Sequence, residues 1–142
     1  MITYLDSSAI VKLYLVDEAG TADLKEVASG SARIATSRLS YVEVRAGLAA
    51  AHRADRFARP EHDRAVASFE DSWPAYFVVE LTEVVGARAG VMAGAFGLRA
   101  GDAIQLASLF ELDVRETVMV AWDARLRSAS HAAGVAVYPV TI

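Results

Sequence analysis

Ile2-Thr3-Tyr4-Leu5-Asp6-Ser7-Ser8-Ala9-Ile10-Val11-Lys12 opens the chain with a short apolar run that ends in an acid and passes at once into helical spacing. The run Ile2 to Leu5 reads as a buried strand, and Ser7 or Ser8 can cap a helix that continues through about Leu15. The same grammar returns downstream, where Val118-Met119-Val120-Ala121-Trp122 reads as a strand, ends in Asp123, and is followed by a helix to Ala133 with Gly134 behind it. Between these two units the alternation continues. A helix over Glu18 to Ser29 is closed by Gly30, and Ala32 to Thr36 is a short strand. From Ser37 a long amphipathic helix carries Leu39, Val42, Ala46, Gly47 and Ala50 at helical spacing. A helix starts near Pro60 and must end or kink at Pro74; Phe77 to Leu81 is β-rich; Thr82 opens a small-residue helix to about Phe96, stopped by Gly97. Asp102 to Leu112 is helical, and Val135 to Val140 is a last strand. Strands alternating with helices predict an α/β fold over residues 1–142: a single domain with a central, mostly parallel sheet and helices on both faces. In such open sheets ligands bind beyond the carboxyl ends of the strands, where these assignments place both Asp6 and Asp123.

Composition narrows the class. The chain has 142 residues, 54% hydrophobic and 23% charged, which is the balance of a folded domain. It has no cysteine, which rules out a disulfide framework or a thiolate metal site. No signal-peptide pattern and no apolar run of membrane-spanning length is present, so the expected setting is a soluble, cytoplasmic protein with no membrane partner. A net charge of −4 argues against nucleic-acid binding by an overall basic surface. It leaves nucleic acid open as a substrate, because acids committed to a metal reverse the local sign. Arg45, Arg53, Arg56, Arg59 and Arg64 crowd one segment, interleaved with Asp55, Glu61 and Asp63 as on a solvated helical hairpin.

Four carboxylates stand out. Asp6, Asp102 and Asp123 each have a structural use as helix N-caps, and Gln105 three residues after Asp102 would complete a capping box. Glu43 has no such use. It shares a helical face with Leu39, Val42, Ala46 and Gly47, so burying it costs several kcal/mol unless a partner or a metal answers its charge. A salt bridge to Arg38 or Arg99 is one answer; a hard cation, Mg²⁺ or Mn²⁺, shared by all four acids is the other. His52, His62 and His131 show no ligand spacing and read as surface residues, and Tyr41 and Trp122 read as packing residues.

Four segments then resemble one family. Leu5 to Tyr14, Ser40 to Leu48 around Glu43, Leu98 to Ala107 around Asp102, and Val120 to Leu126 around Asp123 resemble, in order, the acidic motifs of PIN-domain ribonucleases, particularly the VapC toxins of VapBC toxin–antitoxin pairs. The resemblance covers essentially the whole chain. It implies an Mg²⁺- or Mn²⁺-dependent endoribonuclease with Asp6 and Asp102 as primary metal ligands, Asp123 and Glu43 completing the pocket, and Ser8 as an auxiliary hydrogen-bonding group. It also implies a single- or looped-stranded RNA substrate, a VapB-type antitoxin whose C-terminal segment covers the acidic pocket, and a homodimer. Two positions depart from the pattern: Ala121 where a hydroxyl is common, and Gln105 where histidine is common. Two other readings compete. A metal-binding receiver domain would need a late-chain lysine, and none follows Lys25. A degenerate PIN domain that only binds RNA or assembles is the alternative that Ala121 favours.

Overall fold

The computed structural model describes residues 1–15 and 21–140. Five strands form one sheet in the order β3-β2-β1-β4-β5, with β1 (Ile2–Leu5), β2 (Arg33–Ser37), β3 (Phe77–Val79), β4 (Thr117–Val120) and β5 (Ala136–Tyr138). All four pairings are parallel, so the sheet is wholly rather than mostly parallel. Parallel neighbours need crossover connections, and the described helices supply them: α1 (Ser7–Tyr14), α2 (Thr21–Ser29), α3 (Arg38–Arg53), α4 (Arg59–Ser72), α5 (Glu83–Phe96), α6 (Ala100–Leu109) and α7 (Ala124–Ala132). The start expected for the second helix at Glu18 lies outside the described residues.

Period-two alternation divides the core. Tyr4, Ala35, Met119 and Val137 face one layer with α5, α6 and α7, whereas Leu5, Ile34, Val120 and Tyr138 face another with α1 to α4. Both faces are therefore covered, as a parallel sheet requires.

Local signals account for most element ends. Ser37 caps α3 by accepting from the Leu39 N–H at 3.1 Å, and Thr82 caps α5 by accepting from Val85 N–H at 3.2 Å. Gly97, at φ 64°, ends α5 in the left-handed conformation that glycine adopts without steric cost. α4 stops at Ser72, two residues before Pro74.

Three expectations need correction. β3 ends at Val79, because Glu80 turns out to pair with Arg38 and Leu81 is exposed. α6 begins at Ala100, so Asp102 lies inside its first turn and does not cap it; Arg99 occupies the cap position. The buried face of α3 is Ser40, Val44, Leu48 and Ala51, while Val42 is 63% exposed. Small alanines tolerate either side of a helix, so the bulkier Val44 and Leu48, packed with Leu5 and Phe69, decide which way it faces.

Candidate active site

β1 and β4 are neighbours in register, Leu5 opposite Val120, and the strand order reverses about β1. The crevice beyond their carboxyl ends is the topological switch point of the sheet. Asp6 follows β1 directly, and its backbone N–H bonds the Val120 carbonyl at 3.2 Å. Asp123 lies past β4 and caps α7 by accepting from Leu126 N–H at 3.0 Å.

Asp6 caps α1 as well, accepting from Ala9 N–H at 2.9 Å. The Ser8 hydroxyl lies 2.8 and 2.9 Å from its two carboxylate oxygens and donates to them, while Trp122 N–H reaches the same hydroxyl at 3.4 Å. Ser8 thus braces Asp6 against the segment leading to Asp123. Capping and site duty coexist here: one oxygen holds the helix while the carboxylate stays at the cleft.

Asp6 is only 4% exposed. Burial pushes its carboxyl up to about 7, against donation from Ala9 and Ser8, and the charges of Asp102 and Glu43 push the same way. Burial likewise raises Asp102, with Asp123 and Glu43 adding to it and Arg99 and Arg125 opposing. Asp102 therefore sits within the field of Glu43, Asp123 and Asp6, so each of the four acids singled out by sequence lies within electrostatic reach of at least one other. Arg99 Nη2 stands 4.0 Å from both Asp102 Oδ2 and Asp123 Oδ2, largely in solvent.

Glu43 is half-buried at the edge of its helix face, not in the middle of it. Arg38 pairs with Glu80 instead, and Arg99 lies by the aspartates. The Glu43 carboxylate accepts instead from Gln105 Nε2 at 2.9 Å, and its Oε2 would stand 3.1 Å from a Cβ at Gly101. Two aromatic expectations hold: Tyr41 packs on Phe69 and Trp73, and Trp122 packs on Tyr138 with Lys12 Nζ 5.0 Å from its ring. His52 and His62 are half-buried and lie 5.3 Å apart, away from the acids.

The donor chemistry fits a hard divalent cation: every candidate is a carboxylate oxygen, and a buried acid held up to about 7 is relieved by positive charge. Among the described residues, however, no three acidic or histidine side chains are grouped so that they could hold a metal ion together.

Sequence reasoning gave Gln105 a capping role beside Asp102, where it instead holds Glu43, and gave Tyr4, Thr36 and Ser40 no role. Tyr4 lies within an apolar strand and Gln105 within the apolar face Ala103, Leu106, Ala107; a polar side chain in an apolar stripe is the signal that also marked Glu43. Thr36 and Ser40, four residues apart, carried no pattern at all.

A PIN domain model matches residues 3–130, and the chain belongs to the PIN-domain family. Within it, the chain is 40% identical over 141 residues, 99% of its length and 97% of the relative's, to Ribonuclease VapC45 of Mycobacterium tuberculosis. Two solved structures share the fold: VapBC2 from Rickettsia felis bound to a promoter DNA fragment (TM-score 0.66, 9% identity, 96% of this chain and 97% of that one) and a toxin–antitoxin complex from Klebsiella pneumoniae (TM-score 0.59, 15% identity, 85% and 86%).

Proposed function

We propose that this chain is a VapC-type endoribonuclease, the toxin of a toxin–antitoxin pair, which cuts RNA phosphodiester bonds at the acidic cluster around Asp6. The observation that carries this reading is the 40% identity, end to end, to a named ribonuclease, in a chain whose Asp6 follows β1 at the switch point of the sheet with Asp102 and Glu43 within electrostatic reach.

Bound Mg²⁺ or Mn²⁺, held by Asp6 and Asp102 with Asp123 and Glu43 completing the pocket, would polarise the scissile phosphate and lower the pKa of the attacking water. Asp6 is fixed for this by the α1 backbone and by Ser8, so its orientation costs nothing at the moment of reaction. A groove of about 490 Å³ between α1 and α3 runs up to Glu43 and carries Lys12 and Arg56, cations suited to an RNA backbone. Arg99, beside Asp102 and Asp123, is the further cation placed to meet a phosphate. The same acidic cluster suits a partner that inserts an arginine, as a VapB-type antitoxin would.

A homodimer is supported by α5. Its buried side is Val85 and Ala89, while its outer side exposes Val84 and Val91 and leaves Gly86, Gly90 and Gly94 open to solvent, alongside the charged Glu83. Exposed valines beside glycines would let a second copy pack closely there.

The purified protein is expected to cleave RNA with Mg²⁺ or Mn²⁺ and to stop with chelator. Asp6→Asn should lose at least about a hundredfold in rate while keeping its far-ultraviolet circular dichroism, since an amide oxygen still caps Ala9. Cleavage by Asp6→Asn at the wild-type rate would sink the assignment. RNA binding without cleavage in every metal would instead select the degenerate PIN domain. Ala121 gives that alternative little footing, because its methyl is fully buried in the apolar layer with Tyr4 and Met119.

A further inference from the structure

Beneath Glu43 runs a chain of buried polar side chains that the cleavage chemistry does not use. Tyr4 donates from its hydroxyl to Gln105 Oε1 at 2.7 Å. Gln105 Nε2 donates to Glu43 Oε1 at 2.9 Å and to Ser40 Oγ at 3.0 Å. Thr36 Oγ1 lies 2.6 Å from the Leu5 carbonyl and 2.7 Å from Ser40 Oγ. Tyr4, Thr36, Ser40 and Gln105 are all buried, so each proton must be assigned.

The assignment has one consistent solution. A carbonyl only accepts, so the single hydroxyl proton of Thr36 goes to Leu5. Ser40 then donates to Thr36 and accepts from Gln105. Both amide protons of Gln105 are thereby used, one on Ser40 and one on Glu43, and its carbonyl oxygen is held by Tyr4. The chain starts at a carboxylate of the site and ends on the backbone of Leu5, the residue before Asp6. On the other side of Glu43, Gly101 leaves space that any Cβ would narrow to 3.1 Å from Oε2.

We propose that Gln105 is a positioning residue, oriented by Tyr4, which holds the Glu43 carboxylate in fixed relation to Asp6 against the repulsion between the two acids. This rests on the ribonuclease reading above. Without Tyr4 the amide could turn over and present Oε1 to the carboxylate, two acceptors facing each other. The Glu43 side chain would then leave the cluster.

Gln105→Met removes the amide at similar volume, and Tyr4→Phe removes only the orienting hydroxyl. Each is measured for melting temperature, for Mn²⁺ affinity by calorimetry without RNA, and for kcat and KM on a model RNA. Gln105→Met is expected to weaken Mn²⁺ about tenfold and lower kcat 10- to 100-fold with KM little changed, the usual cost of losing a group that orients a metal ligand. Tyr4→Phe should move the same quantities by less, with its fold retained. In a Glu43→Ala background, Gln105→Met should add nothing, because its effect runs through Glu43. Wild type that binds Mn²⁺ and cleaves RNA, with folded Gln105→Met and Tyr4→Phe unchanged in both, overturns this proposal alone. An undiminished effect in the Glu43→Ala background also overturns it. Wild type that neither binds Mn²⁺ nor cleaves overturns the ribonuclease reading and this proposal with it.

Discussion

Asp6 is the residue on which function and stability pull in opposite directions. Burial and the neighbouring acids hold its carboxyl at about 7 in the fold, against an ordinary value of 3.8. Between those two values the native protein keeps a proton that the unfolded chain has released. The metal-free protein should therefore lose stability as pH rises from about 4 to about 7 and stay low above that, by roughly 2–4 kcal/mol in all. Thermal melting at pH 5 and pH 8 in chelator checks this, and a melting temperature no lower at pH 8 would contradict it. Asp6→Asn should flatten the slope and melt higher than wild type at pH 8, even as it abolishes cleavage. Adding Mn²⁺ should raise the melting point of the wild type at pH 8 and leave that of the variant nearly alone. Asp6, which the sequence offered as a helix cap, does cap α1 while burial and the neighbouring acids hold its carboxyl up.

At the scale of elements, the site depends on how closely α6 approaches α3. Gly101 lies in the first turn of α6, where its missing side chain admits the Glu43 carboxylate. Alanine is the better helix former by about 0.8–1 kcal/mol, and its methyl would meet the movable end of a side chain, not backbone. Gly101→Ala should therefore melt at the same temperature or slightly higher, yet cleave RNA about tenfold more slowly because the carboxylate is pushed aside. A variant that cleaves normally would show that this contact is not tight, and one that unfolds would show that the carboxylate cannot move aside. The α3–α4 hairpin carries the arginine-rich segment expected from sequence. Arg45 pairs with Glu70 at 2.7 Å and Arg59 with Asp63 at 3.2 Å, both solvent-exposed and so worth little to stability.

For the molecule as a whole, the proposed homodimer is tested at the exposed valines of α5. With Val91 at 73% exposure and three glycines beside it whose own fold places nothing against them, a second copy could approach closely. On the proposed reading the wild type sediments as a dimer and Val91→Arg as a monomer, with the melting temperature of the isolated fold changed by only a few degrees. A wild-type protein that sediments as a monomer at high micromolar concentration would dispose of the dimer. Among the described residues no helix is long and apolar enough to cross a membrane.

Much was legible in the residues alone. The alternation of apolar runs with helical spacing carried the α/β class, because backbone periodicity is local and shows in a single segment. Asp6 and Asp123 could be placed at strand ends for the same reason, and Glu43 drew attention because a charge amid apolar neighbours must be answered. Other matters waited for the fold. Strand order is a choice among long-range pairings that no segment encodes, so only the assembled sheet put β1 beside β4 and made their ends one crevice. Asp102 looked like a cap until α6 was seen to start at Ala100. The buried face of α3 was misread because alanines are indifferent and the choice fell to Val44 and Leu48 against Leu5 and Phe69. The chain from Tyr4 through Gln105 to Glu43 joins residues far apart in sequence, and such hydrogen bonds exist only once tertiary packing has brought these groups together and excluded water.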